Sequence, residues 1–286
     1  MKRTRGPDAF VVLNTIFLVA LSLATVYPFW NVLVVSLSSY KDYGAEALRL
    51  WPKSLDFSAY AFMLGMDRLW ISYKNTLIVT GFGTLLATFL TVTTGYVLAK
   101  GLKGTRIIMF LIVLTMLFDG GIIPRYMIVR GLGIMNTLLA LILPLAMGTW
   151  NLIIVRNYFG TLPAELEESA RMDGARDLTI LFRIILPVSK PIIATIALFY
   201  AVSFWNNFFE AVMYITDFAK WPLQLFLRAM LFENAADTMS GGDNPALLGM
   251  PVKMAAIIMA AAPIMLAYPF FQRYFVKGLM VGAVKG

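Results

Sequence analysis

Two clusters of polar side chains in this chain have the types and spacing to do chemistry. In the first, Glu165, Glu167, Glu168, Asp173 and Asp177 stand among Arg171 and Arg176 within a few turns of chain. A short helix carrying exposed carboxylates suits docking into a groove on a partner protein. In the second, Asn206, Asn207 and Glu210 stand among Trp205, Phe208 and Tyr214 inside an otherwise apolar run. Polar groups at such depth usually face a bundle interior or a water-filled cavity. Amides between aromatic rings also match a sugar, which is apolar on its faces and hydrogen-bonding at its edges. The same residues would equally serve helix–helix packing. Neighbouring residues project about 100° apart on a helix, so Asn206 and Asn207 are not expected to face one ligand together. Asp119, beside Gly120 and Gly121, is a third acid in an apolar run, better suited to capping a broken helix than to touching a sugar.

Other chemistry is excluded by composition. The 286 residues contain no cysteine and no histidine, which removes disulfides, thiolate nucleophiles, imidazole metal sites and histidine proton relays. No Gly-x-x-x-x-Gly-Lys-Ser/Thr phosphate cradle occurs, so the chain is not expected to hydrolyse ATP.

The elements that must position these side chains are membrane spans. The chain is 59% hydrophobic and 14% charged, with a mean hydropathy of +0.76, whereas soluble domains carry roughly 25% charged residues. Apolar runs near 9–39, 71–99, 107–129, 137–155, 191–215 and 254–272 approach or exceed the length needed to cross a bilayer. The pattern predicts an all-α integral membrane protein of about six spans forming a single domain over 1–286. The first run follows Lys2, Arg3 and Arg5 and is too long for a signal peptide, so it is expected to remain as a span. With the N-terminus inside, the inner segments are the N-terminal tail, the turn near residue 100, the segment 156–190 and the C-terminal tail. They hold 14 of the 24 basic residues and 6 of the 16 acidic ones, which accounts for the whole net charge of +8. That asymmetry predicts cytoplasmic termini and outer loops at 40–70 and 216–252, and it explains the basic balance without nucleic acid.

The acidic cluster falls in the inner segment and reads as a helix–turn–helix outside the bilayer. Pro163 fits a first helical position, and the glutamates after it complement the helix dipole. Gly174 can supply the positive φ that ends a short helix. Leu178, Leu181, Phe182 and Ile185 then recur at helical spacing on one face, and Pro187 is expected to break the pattern before the fifth span. The residues alone leave open whether this hairpin docks on a partner or is an ordinary amphipathic loop.

The run Glu168-Ser169-Ala170-Arg171-Met172-Asp173-Gly174-Ala175, continued by Phe182, Ile185, Leu186, Pro187 and Pro191, closely resembles the EAA loop of permease subunits in binding-protein-dependent ABC importers. Ser169 stands where many members carry alanine. Tyr27-Pro28-Phe29, Gly131-Leu132-Gly133 with Asn136-Thr137, Trp205-Asn206-Asn207-Phe208 and the ending Gln272-Arg273-Tyr274-Phe275-Val276-Lys277-Gly278 resemble MalG-type carbohydrate permeases. The ending and Asp119-Gly120-Gly121-Ile122-Ile123-Pro124 look closest to permeases for lipo-oligosaccharides and for alginate oligosaccharides.

This resemblance implies a type I importer permease in a bacterial cytoplasmic (inner) membrane. It implies pairing with a second, related permease, two ATPase subunits that bind the ATP and magnesium, and an extracytoplasmic binding protein that delivers an oligosaccharide. No cofactor is expected on this chain. The hairpin would form coupling helices seated on the ATPase, with Glu168 anchoring and Gly174 setting the turn, and with Ser169, Ala170, Asp173, Ala175 and Pro187 completing the motif. Trp205, Asn206, Asn207, Phe208 and Glu210 are the candidates for lining the sugar path, and the outer loop 216–252 could enter the binding protein's cleft. Six spans without a detectable inverted repeat stand against an ion-driven secondary transporter.

Overall fold

The structure, a computed structural model, describes residues 9–39, 50–232 and 249–283, and the side chains of the last helix as far as Leu266. The expected basic tail (Lys2, Arg3, Arg5), the segment 40–49, the glycine-containing middle of the outer loop (233–248) and Lys285 lie outside the described residues. Those described are helical, with one isolated antiparallel bridge between Ser38 and Leu55. The chain forms two compact units, Met1–Asp67 with Leu227–Ala262 and Arg68–Phe226 with Pro263–Gly286.

In the first unit, α1 (Ala9–Ser36) is apolar all round and largely exposed, as a lipid-facing span must be. It tolerates Pro28 within its length. The chain beyond it folds back onto its end. The Trp30 indole donates to the Leu50 carbonyl at 2.8 Å, Asp56 N–H donates to Leu37 at 2.9 Å, and the Ser36 and Tyr60 hydroxyls pair at 2.7 Å. The short α2 (Ser58–Leu64) carries Tyr60.

The second unit is built around α3 (Asp67–Ala99), an unbroken helix of 33 residues that begins four residues before the expected span. Val79, Ala87, Val92 and Tyr96 along it join a core with Phe159, Ile196, Tyr200 and Phe204. Two glycines let neighbouring helices come close. A Cβ at Gly83 would lie 2.8 Å from the Phe204 ring, and one at Gly95 would lie 2.8 Å from Val155. Small residues at such contacts are how helices approach in lipid.

The third, fourth and fifth apolar runs are not single helices. The third is α4 (Thr105–Leu117) and α5 (Ile122–Gly131), bent by 115°. The fourth is α6 (Leu139–Ile142), a 3-10 turn over Leu143–Leu145, and α7 (Thr149–Phe159), bent by 48°. The inner segment holds α8 (Glu165–Met172), α9 (Asp177–Ile180), a π turn over Leu181–Ile185, and α10 (Leu186–Val188). An 85° bend at Ser189 then leads into α11 (Lys190–Trp205), which gives way at Asn206 and Asn207 to α12 (Phe209–Tyr214). α13 (Leu223–Phe232) and α14 (Met250–Ala283) complete the described chain. α14 runs well past the expected end of the sixth span at 272, so Arg273 and Lys277 lie on a helix instead of in a loose tail.

Candidate functional site

The acidic hairpin folds as two helices around one turn. α8 ends in a Schellman motif: Ala175 N–H reaches the Ala170 carbonyl at 2.9 Å, and Gly174 N–H reaches the Arg171 carbonyl at 3.0 Å. Asp173 is the C-cap, and Gly174 takes φ +81°, the left-handed conformation expected of it. Ala170, Asp173, Gly174 and Ala175 thus act together to satisfy the last carbonyls of α8. Pro163 does not fill the first helical position. α8 opens at Glu165, and the Pro163 carbonyl accepts from Leu166 N–H in the turn before it.

The second half departs from the expectation in two ways. Pro187 does not break the helix. The piece Asp177–Val188 runs through it, with the π turn directly upstream where the proline ring would crowd a regular turn, and the break falls at Ser189, close before Pro191. The four apolar residues also do not share one buried face. Ile180, Leu181 and Ile185 are buried, whereas Leu178 is 70% and Phe182 48% exposed. Because the π turn spaces residues differently from an α-helix, the buried stripe is rotated away from Leu178 and Phe182.

Glu168, Ser169, Met172, Leu178 and Phe182 are all exposed on the hairpin, with Met172 88% exposed. The neighbouring Glu167 turns inward. Its carboxylate lies 3.7 Å from both Lys100 and Arg171. Asp177 lies 2.8 Å from Lys100 and 3.0 Å from Arg171, and the Lys100 ammonium stands 4.3 Å over the Tyr96 ring. The hydrogen bond from Lys100 and its positive charge, with Arg171 adding to them, hold the Asp177 carboxyl below its ordinary pKa. Burial pulls the Lys100 ammonium down, but hydrogen bonds to Asp177 and Tyr96 outweigh it and leave the group above its usual value. An open pocket of about 520 Å³ lies between the end of α3 and α8, lined by Tyr96, Lys100, Phe159, Glu167, Glu168 and Arg171 among others. No local pattern in the sequence marks this four-charge network, in which Lys100 is one of the basic residues of the turn near 100. Its partners lie 67 and 77 residues away, beyond any local pattern.

Asp119, Tyr200 and Asn207 bring polar groups to the helix breaks, where freed backbone groups need partners. Asp119 accepts from Gly121 N–H at 3.0 Å and pairs with Arg125 at 3.0 Å, the capping role expected of it. The Tyr200 hydroxyl accepts from Gly148 N–H at 2.8 Å, at the break before α7, and pairs with Thr91 on α3 at 2.6 Å. The Asn207 amide donates to the Leu141 carbonyl at 3.2 Å. A 3-10 turn would offer that carbonyl the N–H of residue 144, which is proline and has none.

These contacts divide the five candidates for a sugar path. Trp205 and Asn207 are buried within the chain, 6% and 5% exposed, and so serve packing and backbone satisfaction. Asn206 is exposed, its amide on the Val202 carbonyl at 3.0 Å and its oxygen 3.5 Å from Gln224. Phe208 and Glu210 are half-buried, with Glu210 3.9 Å from Arg125. The break at 206–208 turns the chain, so Asn206 and Asn207 face differently, as the spacing implied.

At the other end of α3, the segment after α12 is tied down. Asn136, at φ +58°, accepts from the N–H groups of Thr216 and Asp217 at 2.6 and 3.1 Å. Asn75 donates to the carbonyls of Ala219 and Trp221 at 3.0 and 3.1 Å, and the Thr76 hydroxyl accepts from Leu223 N–H at 2.8 Å. Among the described residues no cluster of three metal-ligating side chains occurs.

Residues 9–281 match the family described as the binding-protein-dependent transport system inner membrane component. Over its full length the chain is 40% identical to protein LplC of Bacillus subtilis (strain 168), covering 98% of that protein. It is also 40% identical to the polygalacturonan/rhamnogalacturonan transport system permease protein YtcP of the same organism, over 94% of this chain and 96% of that one. Among solved structures, it is similar to a chain in the crystal structure of a bacterial ABC transporter involved in the import of the acidic polysaccharide alginate. The TM-score is 0.87 at 33% identity, over 96% of this chain and 99% of that chain.

Proposed function

The chain belongs to the family of binding-protein-dependent transport system inner membrane components, and from that premise we propose that it forms half of the translocation pathway of an ATP-driven oligosaccharide importer. The substrate class follows the relatives, one named for polygalacturonan and rhamnogalacturonan and one for the acidic polysaccharide alginate. An acidic oligosaccharide of alginate type is the reading they support best. The other half of the path is a second, related permease. A binding protein delivers the sugar from outside, and two ATPase subunits bind ATP and magnesium and hydrolyse the nucleotide. This chain binds no cofactor and catalyses no reaction. Its termini lie on the cytoplasmic side, which places the hairpin against the ATPases.

The observation that carries the reading is the outward surface of the hairpin. Glu168, Met172, Leu178 and Phe182 combine one carboxylate with three exposed apolar side chains outside the lipid-facing spans. Such an arrangement costs free energy in water and is suited to a groove that covers it. Glu168 supplies the charged anchor, because Glu167 is already engaged inside the chain. In the path, Asn206 and Glu210 offer hydrogen bonds to sugar hydroxyls and Phe208 a ring face.

Co-purification tests the docking surface. Wild-type chain, expressed with its partner subunits, should bring down the ATPases and show sugar-stimulated hydrolysis with the loaded binding protein. Glu168→Lys should insert normally but lose the ATPases. Normal association and uptake by that variant would remove the assignment, and uptake by this chain alone on an ion gradient would remove the importer reading.

A further inference from the structure

The hairpin is joined by the chain to α7 and, through the bend at Ser189, to α11. To α3 it is joined only by non-covalent contacts. Lys100, immediately beyond the last residue of α3, sits where the helix dipole favours a cation. Asp177, the first residue of α9, sits where the dipole favours an anion, and the two meet at 2.8 Å. Arg171 in the last turn of α8 reaches the same carboxylate across the Gly174 turn. Each charge stands at the helix end that stabilises it, so the hairpin and the inner end of α3 are fixed to one another in a defined geometry. Exposed ion pairs of this kind add little to stability, and the Asp177 side chain is 68% exposed. The network's modest free energy acts locally, favouring one placement of the hairpin against α3.

The outer end of α3 is gripped as well. Asn75, 7% exposed, holds the carbonyls of Ala219 and Trp221 with one amide nitrogen, and Thr76 holds Leu223 N–H. From Asn75 to Lys100 the helix spans roughly 37 Å at 1.5 Å per residue. The three bent pairs beside it change direction by 115°, 48° and 85° at their breaks, so the two halves of each are not collinear. α3 is unbroken over all 33 residues.

We propose that α3 is the rod through which displacement of the hairpin reaches the outer segment 216–223, with Lys100 as its inner grip and Asn75 as its outer grip. Both are positioning residues for transport, and neither touches nucleotide or sugar. The inference rests on the importer reading above. It adds a route by which the state of the ATPases alters the face that receives the binding protein, in addition to the covalent route through α11.

The test uses the complete complex in lipid vesicles, with ATP hydrolysis measured with and without sugar-loaded binding protein, and with sugar taken up per ATP. Lys100→Met and Asp177→Asn should keep the ATPases bound and unstimulated hydrolysis near wild type. Stimulation by the loaded binding protein should fall by about five- to tenfold. Lys100→Arg should retain stimulation, and the exchange Lys100→Asp with Asp177→Lys should not recover it, because it sets an anion beside Glu167 and a cation beside Arg171 and opposes both helix dipoles. Asn75→Ala should give the same uncoupling from the opposite end. Asp177→Asn keeps the test alive if Lys100→Met does not accumulate, because the side chain is exposed. Wild-type stimulation and stoichiometry in both inner variants would overturn the proposal. Release of the ATPases would overturn it too, by showing that the network shapes the docking surface instead. Failure of the wild-type complex to respond to the loaded binding protein would strike the importer reading, a separable result.

Discussion

Gly95→Ala is the perturbation whose cost can be worked most directly from the geometry. An added Cβ would lie 2.8 Å from Val155 Cγ1, 3.3 Å from Val155 Cβ and 3.4 Å from the Arg156 nitrogen. Carbon atoms in ordinary contact stand about 3.5–4.0 Å apart, so α3 and α7 must part locally by about 0.7–1.2 Å. Val155 cannot swing aside: it is fully buried, and a β-branched side chain in a helix has one strongly preferred rotamer. Overpacking of this kind costs about 1–3 kcal/mol. Replacing glycine by alanine within a helix returns roughly 0.5–1 kcal/mol, which leaves a net loss of about 0–2.5 kcal/mol. Gly81→Ala in the same helix isolates the packing term, because a Cβ there meets nothing within 4 Å. The two variants share the backbone gain, so the gap between them should equal the overpacking cost of about 1–3 kcal/mol. At about 2–4 °C per kcal/mol for a chain of this order of length, the apparent Tm values should differ by several degrees. Thermal unfolding of the purified proteins in one detergent, at one scan rate, gives the comparison. If Gly95→Ala unfolds at or above the temperature of Gly81→Ala, the close approach of α3 to α7 does not exist as described.

At Gly174 the space around a Cβ is open, so only the left-handed backbone resists substitution. Gly174→Ala should cost about 1–2 kcal/mol and Gly174→Asn less. Gly174→Pro should be the most damaging, since it fixes φ with the wrong sign and removes the N–H that binds Arg171. The order Asn, Ala, Pro in loss of ATPase association checks this. Tyr200→Phe leaves the buried Thr91 hydroxyl and the half-buried Gly148 N–H unpaired, a cost of roughly 1–3 kcal/mol. Its Tm should fall while insertion is unaffected, and an unchanged Tm would show that water replaces the hydroxyl. The lowered pKa of Asp177 means that its ionised form holds the hairpin at any pH above the ordinary carboxylate value. That contribution is lost only as pH falls through the lowered pKa, below 3.8. Lys100, its pKa raised, stays protonated throughout this window. The extra hydrogen-exchange protection of amides 165–177 in wild type over Asp177→Asn should therefore be constant from about pH 5 to 8 and vanish only in stronger acid.

Much of this molecule follows from its order of residues. The membrane class follows from the shortage of charge, because a bilayer penalises ionised groups wherever they fall. The hairpin with its turn at Gly174 follows from local rules of dipole, cap and handedness that act within a few residues, and so do the long helices α1 and α3. What the chain order did not determine lies between distant segments. The break in the third run is legible at Asp119, which caps it locally, but the fourth and fifth runs read as continuous spans and are broken; in the fourth, partners brought in from elsewhere satisfy the freed backbone, Tyr200 for Gly148 and Asn207 for Leu141. Hydropathy measures only whether a residue prefers lipid, and a broken helix prefers it as well as a straight one. For the same reason Asn207 and Trp205 read as lining for a path, although packing turned them inward. Lys100 marked the inner side of the membrane in the sequence, and only the folded chain, by bringing it to Asp177, gave it a contact through which one end of a helix can move with the other.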